Sequence, residues 1–183
     1  MKVYLIRHGQ TDVNKENKIQ GRHGLPLNSV GVQQAKAVSE KLSKVKFDYV
    51  FSSPQERAIQ TAQIATDIKP IIDERLNVFD VGSAEGLKID DVKMDASGEI
   101  PDTNIYSGVE DTKHYIARVY SFMDELNKKF GKKDVTILIS GHMCITGCIS
   151  AYFEGMPQDE NFLKLSCSNA EYKVFDTLQK SKR

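Results

Sequence analysis

Three short runs of mostly apolar residues, at positions 2–6, 47–52 and 134–140, limit what this sequence can fold into. Runs of this length, rich in Val, Ile, Tyr and Phe, are typical of buried β-strands. Segments with helical spacing separate them, and strands that alternate with helices predict an α/β fold. We therefore expect a three-layer sandwich with a mainly parallel central sheet and helices on both faces. A short strand at 70–72 and an edge strand at 170–175 complete the predicted sheet.

The predicted helices have recognisable starts. Asn28 can cap the first of them, which follows the first strand. Ser53 is the predicted N-cap of the next helix, in which Glu56 completes a capping box. An amphipathic pattern predicts a helix at 111–130, and an apolar helix is expected from about 143 to 153. Every predicted strand before position 140 is thus separated from the next by a helix or an irregular stretch.

The stretch at 77–109 is irregular and is interrupted by glycines and a proline, which break regular structure. No internal repeat or linker divides the chain. We therefore expect one domain over residues 1–183, with 77–109 as a small inserted loop or cap over one end of the sheet.

Composition excludes several classes of protein. Lys and Arg number 25, and Asp and Glu also number 25, so no global field favours nucleic acid or a membrane surface. The first apolar run is far too short for a signal peptide or a spanning helix. Three cysteines, without paired Cys-x-x-Cys units, favour a reducing compartment over a disulfide framework. We expect a cytoplasmic protein without nucleic-acid or membrane partners, and the oligomeric state stays open.

Polar side chains follow three of the predicted strands: Arg7 and His8, then Ser53 with Arg57 one turn into the next helix, then His142. Ligands of open α/β sheets bind beyond the carboxyl ends of the strands. Two guanidiniums and two helix N-termini there favour an anion, and guanidinium pairs suit a phosphoryl group. A metal fits poorly, because the arginines would repel it and no carboxylate lies at ligand spacing. The alternative is that these residues belong to unrelated salt bridges. It is the weaker interpretation, since the polar residues follow three separate strands that should end at the same edge of the sheet.

A series of motifs runs in order along most of the chain. They are Arg7-His8-Gly9-Gln10-Thr11 with Asn14, Gln20-Gly21, Pro26-Leu27, Gly31-x-x-Gln34-Ala35, Ser52-Ser53-Pro54 with Arg57 and Thr61, Arg75-Leu76, Gly82 with Glu85-Gly86-Leu87, and Ser140-Gly141-His142. As a set they are highly specific. With them the sequence resembles the histidine phosphatase superfamily, the phosphoglycerate mutase-like group, and the resemblance implies that group's fold.

The resemblance also implies a mechanism and a set of site residues. His8 would attack phosphorus as a neutral imidazole, giving a phosphohistidine that water hydrolyses. Arg7, Arg57 and His142 would hold the phosphoryl oxygens in a loose transition state. Other groups implied near the phosphate or the leaving group are the side chains of Asn14 and Gln20, Gly21, and the backbone N–H of Met143. The expected partner is a small phosphorylated substrate or a phosphoprotein, and no metal or other cofactor is needed.

The sequence departs from the family at the proton donor. The family usually places a glutamate two residues after the Arg-Leu pair, where this chain has Val78, and valine cannot transfer a proton. Asp80 could present a carboxyl on the same side of an extended segment, and Glu85 is a second candidate. A missing acid predicts slow turnover of poor leaving groups, or substrates such as phosphohistidine or acyl phosphates that need little protonation.

Three functions fit these residues: a metal-independent phosphomonoester hydrolase, a phosphoglycerate mutase-type phosphoryl transferase, and a catalytically weak module that binds phosphorylated ligands. The short chain and Val78 favour a hydrolase over a mutase. The nucleophile His8 argues against a binding module, which does not require one. The 77–109 segment contains more acidic than basic residues, which predicts that highly anionic substrates are disfavoured where this segment borders the site.

Overall fold

A single five-stranded sheet organises the protein, whose computed structural model describes residues 1–95 and 98–177. Its strands, in chain order, are β1 (Lys2–Arg7), β2 (Tyr49–Ser52), β3 (Ile71–Ile72), β4 (Thr136–Gly141) and β5 (Tyr172–Asp176). Their spatial order is β3-β2-β4-β1-β5, and only β5 runs antiparallel to its neighbour. The predicted mainly parallel sheet is therefore confirmed, and its last strand lies at an edge.

Five α-helices occur in the described part of the chain. They are α1 (Asp12–Lys15), α2 (Ser29–Leu42), α3 (Glu56–Thr66), α4 (Thr112–Phe130) and α5 (Met143–Glu154). The side chain of Asn28 accepts a hydrogen bond from the N–H of Gly31 and caps α2, as predicted. Helix α1 is a single turn too short to leave a periodic pattern in the sequence. None of these helices combines the length and the apolar character needed to cross a membrane.

Helix α3 begins later than the sequence predicts. Glu56 is its first residue, and the side chain of the N-cap residue Gln55 makes no capping hydrogen bond. The predicted capping box between Ser53 and Glu56 is therefore wrong. The physical reason is a competing partner, since the Ser53 hydroxyl lies 2.7 Å from Nε2 of His142, far away in sequence.

Alternate residues of each central strand face different apolar layers. In β4, Ile137 and Ile139 pack with α4 and α5, whereas Leu138 packs with residues of α2 and α3. Neighbouring β2 divides in the same way, with Val50 on the α2 and α3 side and Phe51 on the other. This period of two is the pleat of the strand. Helices therefore cover both faces, and the predicted three-layer α/β class is confirmed.

The segment between β3 and α4 contains only 3-10 turns as helical elements in its described part, at Glu74–Leu76, Gly82–Ala84 and Ile89–Asp91. Helix α4 fastens the start of this segment, because the Arg118 guanidinium donates to the carbonyls of Asn77 at 2.9 Å and Val78 at 3.1 Å. Glu110 fixes that guanidinium in turn, with 2.7 Å between its Oε1 and Nε of Arg118. The clamp holds Val78 buried.

Candidate active site

The carboxyl ends of β1, β2 and β4 meet at one edge of the sheet because the three strands are parallel. The N–H of His8 donates to the carbonyl of Gly141 at 2.9 Å, and that of Ser53 donates to Ser140 at 3.0 Å. The rings of His8 and His142 consequently lie close together, with centroids 5.2 Å apart. The topology thus brings the residues that follow these strands into one place.

A cavity of about 280 Å³ opens at this edge. Seven of the residues proposed for the site from the sequence line it: Arg7, His8, Asn14, Gln20, Arg57, His142 and Met143. Three of those proposed, Gly21, Asp80 and Glu85, do not line it. The remaining wall is mainly apolar and comes mostly from the 77–109 segment and the turn after α5, with Lys18, Ile19 and Cys144 completing it.

His8 is held in one tautomer. Its Nδ1 lies 2.7 Å from the carbonyl oxygen of Gly9. Because a carbonyl can only accept, Nδ1 carries the proton and Nε2 keeps its lone pair. Burial lowers the pKa of His8 well below its usual range, and the nearby Arg57 charge lowers it further. The imidazole is therefore neutral near pH 7, and Nε2 is available as a nucleophile.

The backbone around His8 is tied to distant parts of the chain. The Gly9 N–H donates to Oγ1 of Thr61 at 3.1 Å, and that hydroxyl donates to the carbonyl of Arg57 at 2.7 Å. The side-chain amide of Asn169 donates to the His8 carbonyl at 2.9 Å. A Cβ on Gly9 would lie 2.6 Å from the carbonyl oxygen of Gly31, so only glycine allows this close approach. Asn169 carried no recognisable signal in the sequence.

Two guanidiniums, that of the fully buried Arg57 and that of the half-buried Arg7, face the cavity without ion-pair partners among the described residues. Arg57 is fully buried, and its Nη2 donates to the Gly21 carbonyl at 2.9 Å, while Nε and Nη1 have no partner. Arg7 donates through Nη1 to the Cys167 carbonyl at 3.2 Å, and its Nε has no partner. Burial lowers the pKa of Arg7, and that of Arg57 to about 10. Both are charged at neutral pH, and an unpaired buried charge favours binding of an anion.

Two amide side chains present donors to the same cavity. The Thr11 hydroxyl lies 2.9 Å from Oε1 of Gln20, and the Thr11 N–H donates to Oδ1 of Asn14 at 3.2 Å. Both amide oxygens are therefore occupied by Thr11. The Gln20 Nε2 is buried without a partner. The Thr11 contacts thus turn the N–H₂ groups toward a ligand.

His142 is oriented by Ser53, which the sequence indicated as a helix cap and as a polar residue at a strand end, without a role toward His142. The fully buried Ser53 hydroxyl lies 2.7 Å from Nε2 of His142 and accepts the N–H of Gln55 at 3.3 Å. Burial, followed by the Arg57 charge, lowers the pKa of His142 well below its usual range. A neutral ring that accepts the Ser53 proton at Nε2 carries its own proton on Nδ1, which is buried without a protein partner. That N–H is a further donor for an anion.

The two carboxylates proposed as proton donors have other partners. Oδ2 of Asp80 lies 3.2 Å from Nη1 of Arg22, and its Oδ1 accepts the N–H of Gly82. Glu85 accepts the backbone N–H of Gly21 at 2.9 Å. It also bonds both the N–H and the ring of His23. Glu85 therefore secures the loop whose carbonyl holds Arg57, and neither carboxylate reaches the cavity.

The donors at this site are suited to an anion rather than to a cation. No group of three or more His, Cys, Asp or Glu side chains suited to a metal ion occurs in residues 1–95 and 98–177. Two arginines, two amides and His142 present hydrogen-bond donors to the cavity, and His8 adds a neutral ring whose Nε2 keeps its lone pair. Chemically, the site can bind a phosphoryl group beside the free Nε2 of His8.

Replacing Ser53 by Ala tests its positioning role. We expect kcat/KM for an aryl phosphate to fall about tenfold, because the buried His142 Nε2 loses its partner and the ring is no longer held in its orientation. Vanadate affinity should weaken in parallel. Ser52→Ala is the matched control, since the equally buried Ser52 hydroxyl donates to the Ser53 carbonyl and does not contact His142. Equal losses in the two variants would contradict the assignment.

The depressed histidine pKa values predict a pH-dependent stability. In the unfolded chain a histidine takes up a proton near pH 6.5, whereas His8 and His142 in the fold resist protonation until well below it. The free energy of unfolding should therefore decrease as pH falls below about 6.5, by up to about 1.4 kcal/mol per pH unit for each histidine. Urea unfolding between about pH 7 and 5.5 measures this slope. His8→Asn should flatten it, and an unchanged slope would contradict the prediction.

Comparison with known proteins agrees with this geometry. The family model of the histidine phosphatase superfamily (branch 1) matches residues 3–183. The chain is 30% identical over 175 residues to the uncharacterized phosphatase PhoE of Bacillus subtilis, covering 93% of this chain and 88% of that protein. A crystal structure of a phosphoserine phosphatase mutant from Entamoeba histolytica superposes with a TM-score of 0.79 at 25% identity, over 95% of this chain and 89% of that one. A mycobacterial glucosyl-3-phosphoglycerate phosphatase gives 0.79 at 26% identity, over 94% and 91%. The chain belongs to the histidine phosphatase superfamily.

Proposed function

We propose that this protein hydrolyses phosphate monoesters without a metal, through a phosphohistidine on His8. One observation carries the proposal. Buried nitrogen atoms of Arg7, Gln20, Arg57 and His142 have no protein partner, and all four side chains line the cavity that holds His8. Such donors are costly to leave unpaired, so their number and convergence favour a bound oxyanion with several oxygens. A phosphoryl group offers three equatorial oxygens to them.

The chemistry follows from the tautomer of His8. Its Nε2 attacks phosphorus, the bond from phosphorus to the alcohol oxygen breaks, and the alcohol leaves with a proton. Because no acid among the described site residues faces the leaving oxygen, that proton comes from solvent. The imidazole becomes positively charged as the bond forms, and the Nδ1–H donated to the Gly9 carbonyl stabilises that charge. Water then attacks the phosphohistidine, the P–N bond breaks, and phosphate leaves with His8 regenerated. Arg7 and Arg57 stabilise the charge on the equatorial oxygens in both steps.

The remaining site residues have supporting parts. Asn14 and the Met143 N–H at the start of α5 add donors near the phosphate, where a helix N-terminus favours an anion. Gly21 acts through its carbonyl, which holds Arg57. Neither Asp80 nor Glu85 is proposed any longer as the acid, because each is engaged outside the cavity. Hydrolysis of a small phosphorylated substrate in a reducing cytoplasm agrees with three cysteines that are all free and buried.

His8→Ala tests the nucleophile. With p-nitrophenyl phosphate and excess chelator, we expect turnover by the unaltered protein and a loss of about a thousandfold or more in the variant, because the covalent step has no substitute. His114→Ala is the matched control, since His114 is exposed and lies outside the cavity. Absence of turnover in the unaltered protein, with phosphate still raising its Tm, would instead identify a binding module.

Val78→Glu tests the missing acid. Val78 lines the cavity and is held there by Arg118, so a glutamate at this position would face the leaving oxygen. We expect kcat for an alkyl phosphate to rise about tenfold or more, because general acids contribute in the range of about 10²–10⁴ when well placed. Turnover of p-nitrophenyl phosphate, whose leaving group needs no proton, should change little. Val78→Gln has the same size and no proton to transfer, and an equal gain in that variant would contradict the explanation.

A further inference from the structure

The cavity has two chemically different parts. The donors for phosphate lie at the ends of the parallel strands, whereas the opposite wall comes from the 77–109 segment and from the 3-10 turn Phe162–Leu165. Most side chains of that wall are apolar, including Val78, Met94, Ile100, Phe162 and Leu163. A phosphate bound to the donors therefore directs its alcohol portion toward an apolar surface.

Charges beyond the phosphate end do not favour a second anion. The one cation among the described lining residues apart from Arg7 and Arg57 is Lys18, whose Nζ already lies 2.6 Å from a Glu16 carboxylate oxygen. The one carboxylate among them is Glu99, which accepts a hydrogen bond from the side chain of Asn161. A substrate carboxylate or second phosphate would thus contact apolar groups or a like charge. Removing such a group from water without a partner is unfavourable.

We propose that the natural substrate is a phosphate monoester of a small, uncharged and mainly apolar alcohol or phenol. This rests on the proposed hydrolase function and adds its substrate class. The cavity volume of about 280 Å³ limits the size, because ligand sites usually begin at about 300 Å³. A single ring or a short alkyl chain fits that space together with the phosphate. Bisphosphates and phosphorylated acids are poor substrates.

Three aryl phosphates test the substrate class. They are phenyl phosphate, its para-carboxylate and the methyl ester of that carboxylate. The carboxylate makes the phenol a better leaving group, so intrinsic reactivity alone would make it the faster of the first two. The structure requires the reverse, with kcat/KM at pH 7 lower by about tenfold or more for the carboxylate, since its charge meets an apolar wall. The neutral ester has nearly the same size and should be hydrolysed at least as well as phenyl phosphate.

A charge added to the wall should change the preference. Ile100 lines the cavity and is half-buried, so Ile100→Lys places a cation on the apolar side. We expect the penalty on the carboxylate compound to shrink at least severalfold, while phenyl phosphate is still hydrolysed. Ile105→Lys is the matched control, because Ile105 belongs to the same segment, is 57% exposed and does not line the cavity. It should leave the preference unchanged.

The outcomes separate the two proposals. If the carboxylate compound is hydrolysed as fast as its ester in a His8-dependent reaction, the substrate class is wrong and the hydrolase function stands. If no aryl phosphate is hydrolysed, or if hydrolysis persists in His8→Ala, the hydrolase function fails and the substrate class fails with it. An unchanged preference in Ile100→Lys would show that this wall does not contact the alcohol portion, and would also overturn the inference.

Discussion

The structure depends on the fully buried guanidinium of Arg57 and the half-buried one of Arg7, neither of which forms an ion pair with a carboxylate within the described chain. Arg57 is fully buried on the first turn of α3, and backbone carbonyls rather than acids accept from it and from Arg7. Burying such charges is unfavourable unless a partner arrives. The protein therefore holds a site that is prepared for an anion before the anion binds. Glu85 acts indirectly: it accepts the Gly21 N–H and so secures the loop whose Gly21 carbonyl positions Arg57.

The same charges set the state of the two histidines. Burial and the Arg57 charge keep His8 and His142 neutral, so one can be a nucleophile and the other a hydrogen-bond donor. Neutrality alone does not decide which nitrogen carries the proton. The Gly9 carbonyl decides this for His8, because a carbonyl can only accept, whereas the Ser53 hydroxyl fixes the orientation of the His142 ring through its contact with Nε2. Gly9 is the neighbour of His8 in the chain, whereas Ser53 follows β2 and reaches His142 only because the parallel sheet brings the ends of β2 and β4 together.

Val78 connects catalysis with specificity. Where the family usually has an acid, this chain has an apolar side chain that continues the wall formed by Met94, Ile100 and Phe162. A carboxylic acid next to that wall would be partly desolvated, and an alcohol of apolar character would lose contact area. Val78 therefore makes the leaving-group side of the cavity more apolar, and in the proposed mechanism it leaves protonation of the leaving oxygen to solvent. The proposed substrate class and the proposed leaving-group dependence thus both rest on this position.

The sequence by itself determined the α/β class, the strands that are followed by polar site residues, and the residues that carry the resemblance to the superfamily. It could do so because period-two and helical patterns are local, and because parallel strands must present their carboxyl ends together. Tertiary structure alone decided what each polar group contacts. The Ser53 side chain contacts His142, 89 residues away, instead of forming the predicted helix cap. The Asp80 carboxylate pairs with Arg22 and does not line the cavity. Each of these groups has several possible partners that are distant in sequence. A local sequence pattern does not indicate which of them lies close enough in space to bind.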